Sequence, residues 1–168
     1  MTNQFTEIFE EELKNIDTQA RVLPTDSSDI KRQKRLTEIY SNLRNNNLSD
    51  LCETLPSYSS VIAEELSKNI TPTQLRRFYT YVKSIDRKNL HQKDEDNIID
   101  KAKLKFLLPK LAGSVEKKSQ DGVKALHRVF AECLHGNRIN QVKDFRLFIE
   151  FFEAILDYHS TFKPQKLD

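Results

Sequence analysis

The amino-acid sequence predicts an all-α protein, a compact bundle of about five helices with an N-terminal helical arm. Three observations carry this. Glycine and proline number only 3 and 5 in 168 residues, too few for the many tight turns of a strand-rich fold. Apolar residues recur at three- and four-residue spacing in segment after segment, the period of a helix face. No segment alternates convincingly as a strand does, and there is no internal repeat.

The totals bound what the chain can be. A length of 168 residues suits one domain with an arm and is enough to bury a core without staples. Charged residues make up 31% and apolar residues 38%, polar but still globular. The net charge of +2 excludes a strongly basic polyanion binder, so any nucleic-acid surface must come from local clusters of Lys and Arg. The two cysteines, Cys52 and Cys133, form no CxxC pair. That fits a reducing cytoplasm without structural zinc, each thiol acting as a small buried hydrophobe. No apolar run approaches the ~20 residues of a membrane span. The start, "MTNQFTEIFEEELKN", lacks the basic and apolar regions of a secretory signal, so a cytoplasmic location is expected.

In chain order, Phe5, Ile8, Phe9 and Leu13 predict a short amphipathic helix over residues 3–16. "DTQARVLPTDSSD" reads as a linker. "DIKRQKRLTEIYSNLR" is a basic segment with a partial apolar stripe at Ile30, Leu36, Ile39, Tyr40 and Leu43, ended by Asn45–Asn47. Residues 1–47 are therefore expected to form an arm and linker, and residues 48–168 the bundle. In the bundle, Val61, Ile62, Leu66 and Ile70 give the first stripe. "TPTQ" opens the second helix, with Thr71 as cap, Pro72 at the first helical position and Gln74 reaching back in a capping box. Ile98, Ile99, Ala102, Phe106, Leu107 and Leu111 suggest the third. Pro109 inside it removes a backbone donor and should kink it or start a new helix. Val123, Leu126, Val129, Phe130 and Cys133 give the fourth, stopped by Gly136. The last runs from about Val142 to His159.

Two of these helices carry more information. With about 100° of rotation per residue, Leu75, Phe78, Val82 and Ile85 share an inward face of the second helix. Arg76, Thr80, Lys83 and Arg87 make a basic stripe on its border, and Arg77, Ser84 and Lys88 lie on its back. The last helix has two apolar faces. One is Phe145, Phe148, Ile149, Phe152, Ile155 and Leu156; the other is Leu147, Phe151, Ala154 and Tyr158. Such a helix is either central in its bundle or shared with another chain.

Chemistry is sparse. His91, His127, His135 and His159 sit in no HExxH or CxxC…H arrangement, so no metal or other cofactor is expected. Arg128 and His135 are seven apart and on a continuous helix would share a face. Certain helical ribonucleases pair Arg and His at such spacing, but with a polar residue after the Arg, where this chain has Val129. The set is read as surface residues and the chain as no enzyme, with ribonuclease as the enzymatic alternative. Basic residues cluster at Lys31–Arg35, Arg76–Lys88, Lys101–Lys110 and Lys117–Lys118, suited to sequence-independent, salt-sensitive phosphate contacts. No RRM, KH or zinc-finger signature is present.

Three segments, "TPTQLRRFYTYV", "FLLPKLAGSVEKK" and "DFRLFIEFFEAILDYH", occur in this order. Together they resemble the small subunit of the type III-A CRISPR effector, the Csm complex. Thr73, Gln74, Leu75, Arg76 and Arg77 fit the family's first motif. Leu107, Pro109, Lys110, Leu111 and Ala112 fit the second; Phe145, Phe148, Phe152, Glu153, Ala154, Tyr158 and His159 fit the third. The resemblance covers roughly Thr71 to the C-terminus. The chain departs from the family at Gly113, where a Tyr is usual, and keeps positive charge nearby as Lys117 and Lys118. The resemblance implies a non-catalytic all-α subunit, present in more than one copy and stacked along a crRNA-containing ribonucleoprotein in antiviral defence. Its implied partners are crRNA and target RNA, the backbone and large subunits, and copies of itself. The residues expected to meet RNA are Arg76, Lys83, Arg87, Lys110, Lys117 and Lys118. Leu147, Phe151, Tyr158 and Arg77 are expected at subunit contacts, or the apolar three at the bundle centre. A helical protein-interaction module without RNA binding is the remaining alternative.

Overall fold

The structure, a computed structural model, describes residues 27–113 and 120–162. The chain divides into two compact units, Met1–Thr37 and Glu38–Asp168. The helix expected over residues 3–16 and the residues Lys117 and Lys118 lie outside the described residues.

The elements are α1 (Ser27–Asn45), a 3-10 turn (Leu48–Leu51), α2 (Leu55–Ser67), α3 (Pro72–Lys88), α4 (Lys101–Lys105), α5 (Leu107–Gly113), α6 (Gln120–Cys133) and α7 (Val142–Phe162). Among the described residues the sole β feature is an isolated antiparallel bridge between Asn97 and Gln141. The protein is all-helical, as the glycine count and apolar spacing imply. The five helices expected in the bundle are α2, α3, the broken pair α4–α5, α6 and α7.

In the first unit, residues 27–37 begin α1. Arg32 pairs with Asp29 at 2.8 Å, and the Thr37 hydroxyl donates to the Gln33 carbonyl at 2.9 Å. The end of α1 belongs to the second unit, where Ile39, Tyr40 and Leu43 are buried. The Asn42 amide donates to the Tyr58 hydroxyl at 2.8 Å. Arg138 donates to the carbonyls of Leu43 and Asn46 at 3.0 and 3.2 Å, satisfying backbone acceptors that a helix end leaves open.

The core is organised around α7, which packs against α2, α3 and the 3-10 turn. Phe130 of α6 meets Phe148 and Phe152 edge-on, with ring centroids 5.2 and 4.8 Å apart, and Tyr79 of α3 meets Phe152 at 5.5 Å. Phe145, Phe148, Phe151, Phe152 and Ile155 are all buried. Two apolar faces on α7 thus follow from its place inside the bundle. Phe151, expected at a subunit contact, is only 2% exposed and belongs to this centre.

The third predicted helix begins later than its pattern suggests. Ile98 lies outside the helix, next to the Asn97–Gln141 bridge, its N–H donating to the Asn140 carbonyl at 3.1 Å. Ile99 and Phe106 are exposed, and Leu104 is the buried residue of α4. The break falls at Phe106, three residues before Pro109. Pro109 has no N–H for the Lys105 carbonyl, and its ring crowds that carbonyl, so the helix restarts with Pro109 in its first turn. Cys133 is buried as expected, whereas Cys52 is exposed in the turn before α2. Gly136 adopts a left-handed φ of 66° just beyond α6, a conformation glycine enters without steric cost.

Candidate nucleic-acid interface

The capping box at the start of α3 forms as the sequence implies. Thr71 Oγ1 accepts from the Gln74 N–H at 3.2 Å, and Gln74 Oε1 accepts from the Thr71 N–H at 2.9 Å. With Pro72 at the first turn, the phase of α3 is set, and Leu75, Phe78, Val82 and Ile85 are buried. Arg76 and Arg77 are both exposed and point to different flanks.

One flank carries Arg76, Lys83 and Arg87. Lys83 hydrogen-bonds Asp86 at 3.1 Å, and this bond raises its pKa. Glu153 of α7 also acts on Lys83. Tyr79, packed beside it, has its pKa raised by burial first and then by the charge of Glu153. The basic stripe read from the sequence is therefore interleaved with the acids of its own helix and of α7.

The other flank carries Arg77, Tyr81, Ser84 and Lys88, and α4 and α5 dock against it. The Tyr81 hydroxyl donates to the Lys103 carbonyl at 2.9 Å. The Lys110 ammonium lies 4.1 Å from the Tyr81 ring centroid, a cation–π contact. Burial raises the Tyr81 pKa, with the Asp100 charge adding to it. Lys88 bonds Asp100 Oδ2 at 2.7 Å, and Lys103 approaches the same oxygen at 3.7 Å. The Lys88 hydrogen bond holds the Asp100 carboxyl below its ordinary value, and Asp100 in turn raises Lys88. This corner holds four cations, Arg77, Lys88, Lys103 and Lys110. Among the described residues, Asp100 is the one acid in ion-pair contact with any of them.

A buried side chain fixes the corner. Asn89, fully buried after α3, donates to the Ile85 carbonyl at 2.9 Å and accepts from the Ile99 N–H at 2.7 Å. It ties the end of α3 to the residue before Asp100, which has a left-handed φ of 63°. Asp is among the residues that tolerate this region. The anchors at Asn89–Ile99 and Tyr81–Lys103 hold α4, and with it the spacing of the ammonium groups.

The residues expected to meet RNA are thus separated. Lys110 joins Tyr81, while Arg76, Lys83 and Arg87 lie on the opposite flank. Arg77, expected at a subunit contact, shares the flank of Tyr81. Lys103 belongs to the basic cluster Lys101–Lys110 without standing out in it, and Asp100 carries no sequence signal, because nothing in their local sequence says which flank of α3 they adjoin. Of the α7 residues expected at subunit contacts, Leu147 is half-buried and Tyr158 is 38% exposed. Phe162, one turn beyond Tyr158, is also exposed.

Arg128 and His135 do not share a helix face. α6 ends at Cys133, and His135 lies beyond it. Arg128 stacks on the Tyr40 ring at 4.4 Å. His159 is buried, its Nε2–H donating to the Ile70 carbonyl at 3.1 Å, and so joins α7 to the α2–α3 turn. No group of three or more His, Cys, Asp and Glu among the described residues is placed to hold a metal ion. No helix among them is long and apolar enough to cross a membrane.

These features define an all-helical module with a basic corner built around an aromatic ring. Residues 49–165 match the family model Csm2 Type III-A, and the chain belongs to this family, the small subunit of the type III-A CRISPR effector complex. The family consists generally of non-catalytic structural subunits that associate with the other Csm subunits and with crRNA. No curated protein and no solved structure matches the chain.

Proposed function

We propose that this chain lines the crRNA–target RNA path of its complex, and that it does so chiefly through the α3–α4–α5 corner. The observation that supports this is the charge balance of that corner, where Arg77, Lys88, Lys103 and Lys110 are accompanied by one paired acid. Fixed cations beside an aromatic ring suit a phosphate chain, and they contact it without reading sequence. Arg76, Lys83 and Arg87 form a second, more neutralised contact stripe. The face of α7 that carries half-buried Leu147 and exposed Tyr158 meets a neighbouring subunit or a further copy of the chain. Target cleavage on this reading belongs to other subunits.

The test is target-RNA binding by the assembled complex in a salt series. Lys110→Glu and Arg77→Glu are expected to weaken binding and to lower the salt slope by about 0.7 for each phosphate the variant no longer neutralises. Arg76→Glu is expected to weaken it less. Unchanged binding in Lys110→Glu and Arg77→Glu removes the corner from the RNA path, and unchanged binding in Arg76→Glu removes the stripe. Metal-free RNA cleavage by the purified chain, abolished in His135→Ala, would overturn the non-catalytic reading.

A further inference from the structure

Two lysines of the basic corner, Lys88 and Lys103, converge on a single carboxylate oxygen, Asp100 Oδ2 at 2.7 and 3.7 Å. Two ammonium groups brought to one anionic oxygen present the geometry that a non-bridging phosphate oxygen also satisfies. The carboxylate is not there by default. Asp100 takes a left-handed φ of 63°. The preceding residue is held by the buried Asn89 amide at 2.7 Å. The lysines come from separate helices, and the Tyr81 hydroxyl pins α4 at the Lys103 carbonyl, 2.9 Å away. The site is built by tertiary contacts, and its acid lies part-exposed at the rim.

We propose that Lys88 and Lys103 form a phosphodiester subsite occupied in the free chain by Asp100, which an RNA phosphate must displace. The inference rests on the reading of the α3–α4–α5 corner as RNA-facing and adds a resident competitor to it. Asp100 then lowers affinity for any stray polyanion. The cost is small where the complex presents RNA in register, since effective concentration is high there. No bond is made or broken. The carboxylate leaves the ammonium pair for water, and the phosphate takes its place.

The experiment measures binding of a single-stranded oligouridylate by the full chain across a salt series, comparing wild type with Asp100→Asn, Asp86→Asn and Lys110→Glu. Asn tolerates the left-handed region, so Asp100→Asn keeps the backbone and removes only the charge; an unchanged urea midpoint checks this. Asp100→Asn is expected to bind about fivefold tighter at low salt, the effect of one unit charge removed at about 4 Å in water. It is also expected to steepen the salt slope by about 0.7. Asp86→Asn removes the same formal charge from the opposite flank and is expected to gain less. No gain from Asp100→Asn, or equal gains from both variants, overturns the proposal. Lys110→Glu separates the two readings, because Lys110 is not an ion-pair partner of Asp100. Binding unaffected in Lys110→Glu ends the RNA-facing assignment and the subsite with it. Binding abolished in Lys110→Glu without a gain in Asp100→Asn ends the displacement alone.

Discussion

Replacing Gly122 with alanine sets two local effects against each other, and the structure decides which wins. Alanine is the better helix former, by up to about 1 kcal/mol within a helix. A Cβ at Gly122, however, would lie 2.9 Å from the Asn69 carbonyl carbon and 3.0 Å from both Asn69 Cβ and the Ile70 nitrogen. These atoms sit in the turn between α2 and α3, and they have little room to give. The Asn69 and Ile70 N–H groups both donate to the Leu66 carbonyl, at 3.2 and 3.0 Å. The Ile70 carbonyl accepts from buried His159 at 3.1 Å, and the Ile70 side chain is itself buried. Forcing a methyl group into such a contact costs about 1–3 kcal/mol. Two of the three atoms met are backbone rather than the end of a flexible side chain, which puts the cost in the upper part of that range, about 2–3 kcal/mol, and subtracting the helix gain leaves Gly122→Ala destabilised by about 1–2 kcal/mol. For a chain of this length that is a fall of about 2–8 °C in Tm. Urea denaturation should show a lower midpoint with an unchanged m-value. Gly113→Ala is the matched control, since nothing lies within 4 Å of a Cβ there; it is expected to be neutral or stabilised by up to about 1 kcal/mol. A Gly122→Ala protein as stable as wild type would show that α6 does not press on the α2–α3 turn as described.

Further outcomes follow from buried groups. Asn89→Ala leaves the Ile99 N–H without its acceptor and frees the end of α3, so unfolding stability should fall by about 1–3 kcal/mol, read from the urea midpoint. Burial lowers the His127 pKa to about 4 from an ordinary 6.5. The unfolded chain therefore binds the extra proton first, and stability contributed by this group falls as pH drops from about 6.5 to 4. The full loss approaches about 3 kcal/mol, and the pH dependence of Tm should flatten over that window in His127→Gln. Phe152→Ala removes the ring that Tyr79 and Phe130 both meet edge-on, and an equilibrium urea curve should register a loss of about 3–5 kcal/mol.

Much of this molecule is readable along the chain. The helix class follows from the period of the apolar residues, and the start of α3 follows from Thr71, Pro72 and Gln74, because a capping box closes within four residues. The stop after α6 is legible in Gly136 for the same reason. Pro109 signals a break, although its position depends on the carbonyl four residues earlier that the proline fails to satisfy. The pattern misleads at Ile98, Ile99 and Phe106, where apolar residues at helical spacing belong to the connection before α4 and to the exposed junction after it. Periodicity alone distinguishes neither Ile98, buried but outside the helix, nor the exposed Ile99 and Phe106 from the buried face of a helix.

The docking of distant segments settles the rest. Phe151 looks like a second interface on a helical wheel, and it is core because α7 is surrounded. The two arginines that follow Leu75 are distinguished in direction by the capping box, but their surroundings come from elsewhere. Arg76 shares a flank with Lys83, beside Glu153 of α7, and Arg77 shares one with Tyr81, where Lys103 and Lys110 arrive from α4 and α5. Local spacing determines which way a side chain leaves its helix, since backbone geometry repeats every few residues. The charge it meets there is set by long-range contacts, such as the bond from Tyr81 to a carbonyl 22 residues later, and no local pattern encodes them.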